Sequence, residues 1–193
     1  MRSCAEQPAS EPGSDAFPIH GLISALTVLH AEDGYLGRER WSYLLLADEL
    51  RRWSSRPEKD RLELFRRMVF NAMVTNNDDH PRNHALLQVG GRWRLSPSYD
   101  IVPEPATSKE RRDLALQVGS FGRVASIYNL LSQPAVFGLS LEAARAAIDR
   151  MREKVSRWQE VFKAHGVCGA DIDAIAPAML PESFERTEPP YPV

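Results

Sequence analysis

Apolar residues recur at helical steps through much of the chain, and polar loops fall where that rhythm stops. From Gly21 to His30 the run Gly-Leu-Ile-Ser-Ala-Leu-Thr-Val-Leu-His is apolar enough to be buried, and its Ala and Leu content predicts a short helix. Between Trp41 and Trp53 the apolar positions are Trp41, Leu44, Leu45, Ala47 and Leu50, which predicts an amphipathic helix with Ser42 as its cap. Pro57 then sits where a first-turn proline is tolerated. Leu62, Phe65, Met68, Val69, Ala72 and Met73 follow at three- and four-residue steps, predicting a third helix with Arg66 and Arg67 off its core face. The rhythm ends at Thr75-Asn76-Asn77-Asp78-Asp79-His80-Pro81, residue types that favour loops and side-chain to backbone bonds.

Beyond that loop the period shortens. Ala85 to Val89 and Arg92 to Leu95 read as two strands around Gly90-Gly91, because paired glycines accept the positive φ angles of a tight hairpin. Ser96 to Asp100 breaks the second strand, a loose segment runs to about Arg112, and Leu114 to Val118 is expected as another short strand. Leu141, Ala144, Ile148, Met151, Val155, Trp158 and Phe162 trace one helical stripe, and Asp171 to Leu180 is expected as a last short helix. Residues 1–17, rich in Pro, Ser, Glu and Gly, are expected to form a disordered tail, since they bury too little to offset the entropy of ordering. Pro181 to Val193, with four prolines, is expected as an extended tail, leaving one lobe over residues 18–180. The fold class expected is mainly α with a small β-hairpin.

With 43% apolar and 26% charged residues among 193, the composition is that of a soluble globular domain rather than a disordered or membrane chain. A formal net charge of −2 gives no overall attraction to nucleic acid or anionic lipid, so direct nucleic-acid binding is not expected. Cys4 and Cys168 lie far apart without a C-x-x-C spacing and are expected as ordinary thiols. No stretch approaches the roughly 18 apolar residues of a membrane span. The polar start, with Glu6, Pro8, Glu11 and Pro12, is unlike a secretory signal, and a cytoplasmic location is expected.

The block that carries candidate chemistry is a helix, a polar loop holding Asp78 and Asn83, a tight hairpin, and Asp100 directly after its second strand. Asn83 follows Asp78 by five positions and Asp100 follows Asn83 by seventeen, which leaves room for the hairpin. The order resembles a protein-kinase catalytic lobe, in which a loop Asp accepts the proton of the attacking hydroxyl while a later Asn and Asp hold magnesium. Mg²⁺ is a hard cation that takes a few protein oxygens and keeps water and phosphate in its other positions. One amide oxygen from Asn83 and a carboxylate from Asp100 would suit it, with Asp78 left free to orient the nucleophile.

Asn77-Asp78-Asp79-His80-Pro81-Arg82-Asn83-His84 and Leu95-Ser96-Pro97-Ser98-Tyr99-Asp100 closely resemble the two signature segments of HipA-type serine/threonine kinases, the toxins of type II toxin–antitoxin systems. Leu22 to Thr27, Ser42 to Leu44 and Phe65 to Asn71 also look like that family, so the likeness runs over about residues 20–165. It implies a kinase-like carboxyl-terminal lobe that passes the γ-phosphoryl of ATP to a Ser or Thr hydroxyl with Mg²⁺. It further implies protein substrates of the aminoacyl-tRNA synthetase type and a HipB-like antitoxin partner. By the same resemblance Asp78 is the catalytic Asp, Asn83 and Asp100 are the metal ligands, and His80 and Arg82 support the loop or the nucleotide phosphates. Family members also carry an amino-terminal half with a phosphate-covering loop, a nucleotide-pairing lysine and a regulatory serine. No G-x-G-x-x-G or Walker sequence occurs among these residues, and Lys59, Lys109, Lys154 and Lys163 fall in or after the helical lobe. Efficient transfer is therefore expected to need a lobe supplied by a separate chain, because it depends on positioning and charge from both sides.

Plainer readings stand beside these. Asp78, Asp79 and Asp100 could be turn and cap residues, and a catalytically inactive relative could keep the fold as an antitoxin- or target-binding module. His80 and His84, four apart and near Asp78, also have a spacing that zinc could use, but Pro81 stands where a His-Glu-x-x-His helix needs glutamate. The basic stretch Arg51, Arg52, Arg56, Lys59, Arg61, Arg66 and Arg67 is expected as a solvated helix face, and the Leu141 to Phe162 stripe as core.

Overall fold

The computed structural model describes residues 20–105 and 113–188. Its centre is a pair of helices, α2 (Tyr43–Trp53) and α3 (Pro57–Met73), packed on each other. Ser42 starts α2 as expected, its hydroxyl accepting the Leu45 N–H at 3.4 Å. Pro57 occupies the first turn of α3, where Glu58 and Asp60 also favour the positive end of the helix dipole. Leu64, Phe65, Met68, Val69, Ala72 and Met73 are buried along α3, and each of the larger side chains contributes about 1.5–3 kcal/mol of transfer free energy. Arg67 departs from the expected exposed position and is 5% exposed. It is buried because it bridges two elements: its Nη2 donates to the Ser96 carbonyl, and its Nε to Glu63 Oε1 at 3.3 Å. Burial draws its guanidinium below the ordinary value, while the Glu63 charge and hydrogen bond act the other way.

The hairpin forms as expected from β2 (Ala85–Val89) and β3 (Arg92–Leu95), with Val89 opposite Arg92 and Leu87 opposite Arg94. Gly90 at φ 55° and Gly91 at φ 74° supply the two left-handed residues that a two-residue turn requires. A third strand, β1 (Leu22–Ser24), pairs antiparallel with the other edge of β2. The segment from Gly21 to His30 is thus not one helix. Its first residues satisfy the open β2 edge, with the Gly21 carbonyl accepting Gln88 N–H at 2.7 Å, and Ser24 then caps the single turn α1 (Ala25–Val28). Short apolar runs are ambiguous by period, and here the available sheet edge decided.

Asp60 fastens α3 to the hairpin. Its 4%-exposed carboxylate accepts Ser54 Oγ–H at 2.6 Å, Leu95 N–H at 2.9 Å and the Arg94 guanidinium at 2.7 Å from Nη2. Burial alone would raise this carboxyl, but the hydrogen bonds from Arg94, Ser54 and the Leu95 N–H outweigh it and hold it below its ordinary value.

In the second half, Leu114, Leu116 and Val118 are buried in alternation as a strand would be, yet their backbone makes only isolated bridges, such as Ser42 with Gln117. The neighbour is the short stretch leading into α2, which is too brief for a ladder. After it, α4 (Ile127–Leu130) presents the fully buried Asn129, whose Nδ2 donates to the Gly122 and Val124 carbonyls and whose Oδ1 accepts the Phe121 N–H. Gly119 lies against this knot: a Cβ there would stand 2.3 Å from the Asn129 carbonyl oxygen. Gly119→Ala is expected to lower stability by about 1–3 kcal/mol through overpacking, read as a reduced urea midpoint with unchanged m.

The long stripe from Leu141 is broken into α5 (Leu141–Val155) and α6 (Trp158–Ala164). Ser156 Oγ donates to the Glu153 carbonyl at 2.8 Å, which satisfies a last-turn acceptor and lets the chain turn while the apolar side stays aligned. Beyond the break the stripe is only half-buried, with Trp158 and Phe162 packed edge to face on each other. The last helix, α7 (Gly169–Ile175), begins earlier than expected, with Cys168 at its N-cap, and gives way to a 3₁₀ turn over Ala176–Ala178. From Pro181 the described residues are not a loose tail, because Phe184 is fully buried and its carbonyl accepts the Ile127 N–H at 2.9 Å. The tail expected over residues 1–17, and the end of the chain from Pro189, lie outside the described residues.

Candidate functional site

At the end of α3 the chain turns through Thr75 at φ 55° and enters the loop that carries Asp78. The Asp78 carbonyl accepts two hydrogen bonds, from the His80 N–H at 2.8 Å and from Asn83 Nδ2 at 3.2 Å. Asn83 is buried, and with its amide nitrogen used inward its Oδ1 stands as an acceptor that no described donor reaches. A single 3₁₀ turn, Pro81–Asn83, fixes the spacing between the two residues and delivers the chain into β2.

Asp100 comes from beyond β3, and the segment that holds it is tied to the same loop at both ends. Tyr99 donates its phenol to the Arg82 carbonyl at 2.6 Å, and Glu104 N–H donates to the Thr75 carbonyl at 3.1 Å. Burial raises the Tyr99 phenol, as does the Asp100 charge, against an opposing pull from Arg67, so it stays protonated as a donor across the neutral range. Asp100 itself is exposed at φ 56°, and Asp78 is exposed as well. Neither carboxylate takes a hydrogen bond or ion pair from another described side chain.

Beneath the loop lies a buried polar chain. Asn76 Nδ2 donates to Asn71 Oδ1 at 3.3 Å, Asn71 Nδ2 donates to Tyr43 Oη at 3.0 Å, and Tyr43 Oη donates to Asp79 Oδ2. The other oxygen, Asp79 Oδ1, lies 2.9 Å from His84 Nε2, close enough for an ion pair although off hydrogen-bond alignment. The His84 ring also packs edge-on against Tyr43, with centroids 5.5 Å apart.

The family model for the HipA-like C-terminal domain matches residues 17–159. The chain belongs to that family. Among solved structures it is similar to HipA of Shewanella oneidensis MR-1, determined in a toxin–antitoxin complex with HipB and operator DNA. The TM-score is 0.66 at 14% identity, covering 88% of this chain and 44% of that one. At such identity the likeness speaks for the fold, mainly helical with a small antiparallel sheet, and the chain spans less than half the length of that HipA.

In this HipA-like domain, then, Asp78 and Asn83 are joined directly and Asp100 is tied in through its neighbours. The two supporting residues differ in place. His80 is half-buried, and its Nδ1 is buried without a protein partner. Arg82 is exposed, and its guanidinium is paired with Asp33. Among the described residues no group of three or more His, Cys, Asp or Glu side chains could hold a metal, and His84, the second histidine of the zinc alternative, is committed to Asp79. The donor set does fit magnesium: a free amide oxygen on Asn83 and an unclaimed carboxylate on Asp100 are hard ligands, few enough to leave positions for water and phosphate.

From sequence, Asp79 reads as a turn or cap residue and His84 only as part of the signature segment and of a zinc alternative, while Tyr43 and Asn71 stand in family-like segments without a role of their own. One signal for them was present. Asn71 is a polar residue inside the apolar stripe of α3, flanked by Met68, Val69 and Ala72, and a buried amide needs partners.

Proposed function

We propose that this HipA-like domain is the catalytic lobe of a serine/threonine protein kinase that moves the γ-phosphoryl group of ATP to a Ser or Thr hydroxyl. The observation that carries the reading is the tying of Asp100 to the loop of Asp78 and Asn83, with three oxygen-bearing groups left unclaimed by the fold. Asp78 would hold the substrate hydroxyl and take its proton as the new O–P bond forms. Asn83, fixed through its own Nδ2, and Asp100 would hold Mg²⁺, which when bound neutralises charge on the phosphate oxygens. His80 and Arg82 would support the loop or the nucleotide phosphates, Arg82 after leaving Asp33. A HipB-like antitoxin and a protein substrate such as an aminoacyl-tRNA synthetase are the partners proposed, in the cytoplasm. No helix of the described residues is long and apolar enough to cross a membrane.

The alternative is a catalytically inactive relative that binds antitoxin or target. Purified chain, alone and with any lobe encoded beside it, is to be titrated with Mg²⁺ and labelled ATP and assayed for protein phosphorylation. Binding and transfer are expected, with Asp100→Asn weakening Mg·ATP affinity by about 10–100-fold. Failure of every combination to bind nucleotide overturns the kinase reading in favour of the module.

A further inference from the structure

We propose that Asp79, held by Tyr43 and His84, is a positioning residue that sets the orientation of Asp78, an inference that rests on the kinase reading above. The two aspartates are chain neighbours with opposite surroundings: Asp78 is exposed, whereas the Asp79 and His84 side chains are each 2% exposed. Burying a carboxylate beside an imidazole brings no stability that well-packed apolar residues could not match, so the fold does not require this pair for its own sake.

What the pair does is geometric. The donors run one way, from Asn76 to Asn71 to Tyr43, and end on the Asp79 carboxylate. They come from the first residue of α2, from α3 and from the stretch after it, while His84 approaches the other oxygen from just before β2. On the far side of the Asp78–Asp79 peptide, the Asp78 carbonyl is held by the His80 N–H and by Asn83 Nδ2. That peptide plane is therefore gripped from both flanks, and the direction in which the Asp78 side chain leaves the backbone is fixed while its carboxylate stays open. The same Asn83 amide that grips the carbonyl carries the Oδ1 proposed as a metal ligand, so one clamp would orient the proton acceptor and that ligand together. A misplacement of about 1 Å at such a group can cost on the order of 100-fold in rate.

The test uses the full chain with its complementing lobe. Tyr43→Phe removes the single oxygen that joins Asn71 to Asp79 while keeping the ring. It is expected to lower kcat about tenfold or more with KM for Mg·ATP within about twofold, to speed amide hydrogen exchange most over residues 76–84, and to lower the melting temperature by only several degrees, the share of one lost buried hydroxyl. His84→Gln, which keeps a donor nitrogen near the Nε2 position, is expected to retain most of the activity that His84→Leu loses. Unchanged kcat in Tyr43→Phe, or a fall in kcat matched by faster exchange throughout the domain, overturns the proposal. If the wild type transfers no phosphate, the kinase reading falls and exchange alone decides the clamp: acceleration greatest over 76–84 supports it, and no acceleration there rejects it.

Discussion

Asp78→Asn is expected to reduce phosphotransfer by about 10²–10⁴-fold, the usual contribution of a positioned general base, while Mg·ATP affinity stays within about twofold. The substitution keeps the shape of the side chain and removes only its ability to take a proton. It should not disturb the fold, because the Asp78 carboxylate is exposed and makes no described hydrogen bond, and its structural contacts run through the backbone carbonyl to His80 and Asn83. Single-turnover transfer from labelled ATP, with nucleotide affinity measured separately, checks both halves. A variant that transfers phosphate at the wild-type rate would remove Asp78 from the chemistry and leave Asp79 as nothing more than a buried contact.

Asp60→Ala should produce the largest loss of stability, about 3–5 kcal/mol, because it leaves buried partners unpaired. Ser54 Oγ and the Leu95 N–H would lose their acceptor inside the protein, and Arg94 its counter-charge. The Arg94 side chain is 29% exposed, so water can recover part of its share, which favours the lower half of that range. Urea unfolding measures it. The same carboxylate gives a pH signature of definite sign. Burial pushes its pKa up, but the bonds from Arg94, Ser54 and Leu95 more than reverse this, so it is lower in the folded than in the unfolded chain. Its contribution is therefore complete above the unfolded carboxylate value of about 4 and is lost as pH falls through the lower folded value. The stability gap between wild type and Asp60→Asn should accordingly hold from neutral pH to about pH 5 and shrink as pH falls from there through about pH 3. A gap that stays constant over that interval would show that Asp60 does not act through its charge.

Much of the scaffold was legible because α2, α3 and the hairpin each repeat one period over their whole length. Where the reading failed, the deciding interaction was distant in sequence. Leu22 to Ser24 became a strand because the edge of β2, more than sixty residues later, was open to it. Leu114 to Val118 kept the alternation of a strand but found no partner long enough for a ladder. The stripe through Val155, Trp158 and Phe162 continues across the turn at Ser156 and Arg157, so side-chain periodicity alone could not register the break. The candidate site divides in the same way. Asp78, Asn83 and Asp100 are spaced along one continuous block and could be read from it. The clamp on Asp79 draws on α2, α3 and the start of the hairpin, and nothing in the local pattern links Tyr43 to a residue thirty-six positions away.

The backbone at Asp100 has its own evolutionary reach. At φ 56° it occupies the left-handed region, which glycine, asparagine and aspartate enter far more easily than other residues. Few replacements fit there without strain, and the one closest in shape, asparagine, discards the charge at almost no conformational cost. On the kinase proposal above, a lineage could thus fall silent at this position and remain as well folded as its working ancestors, and intact architecture in a relative would say little about whether it still turns over.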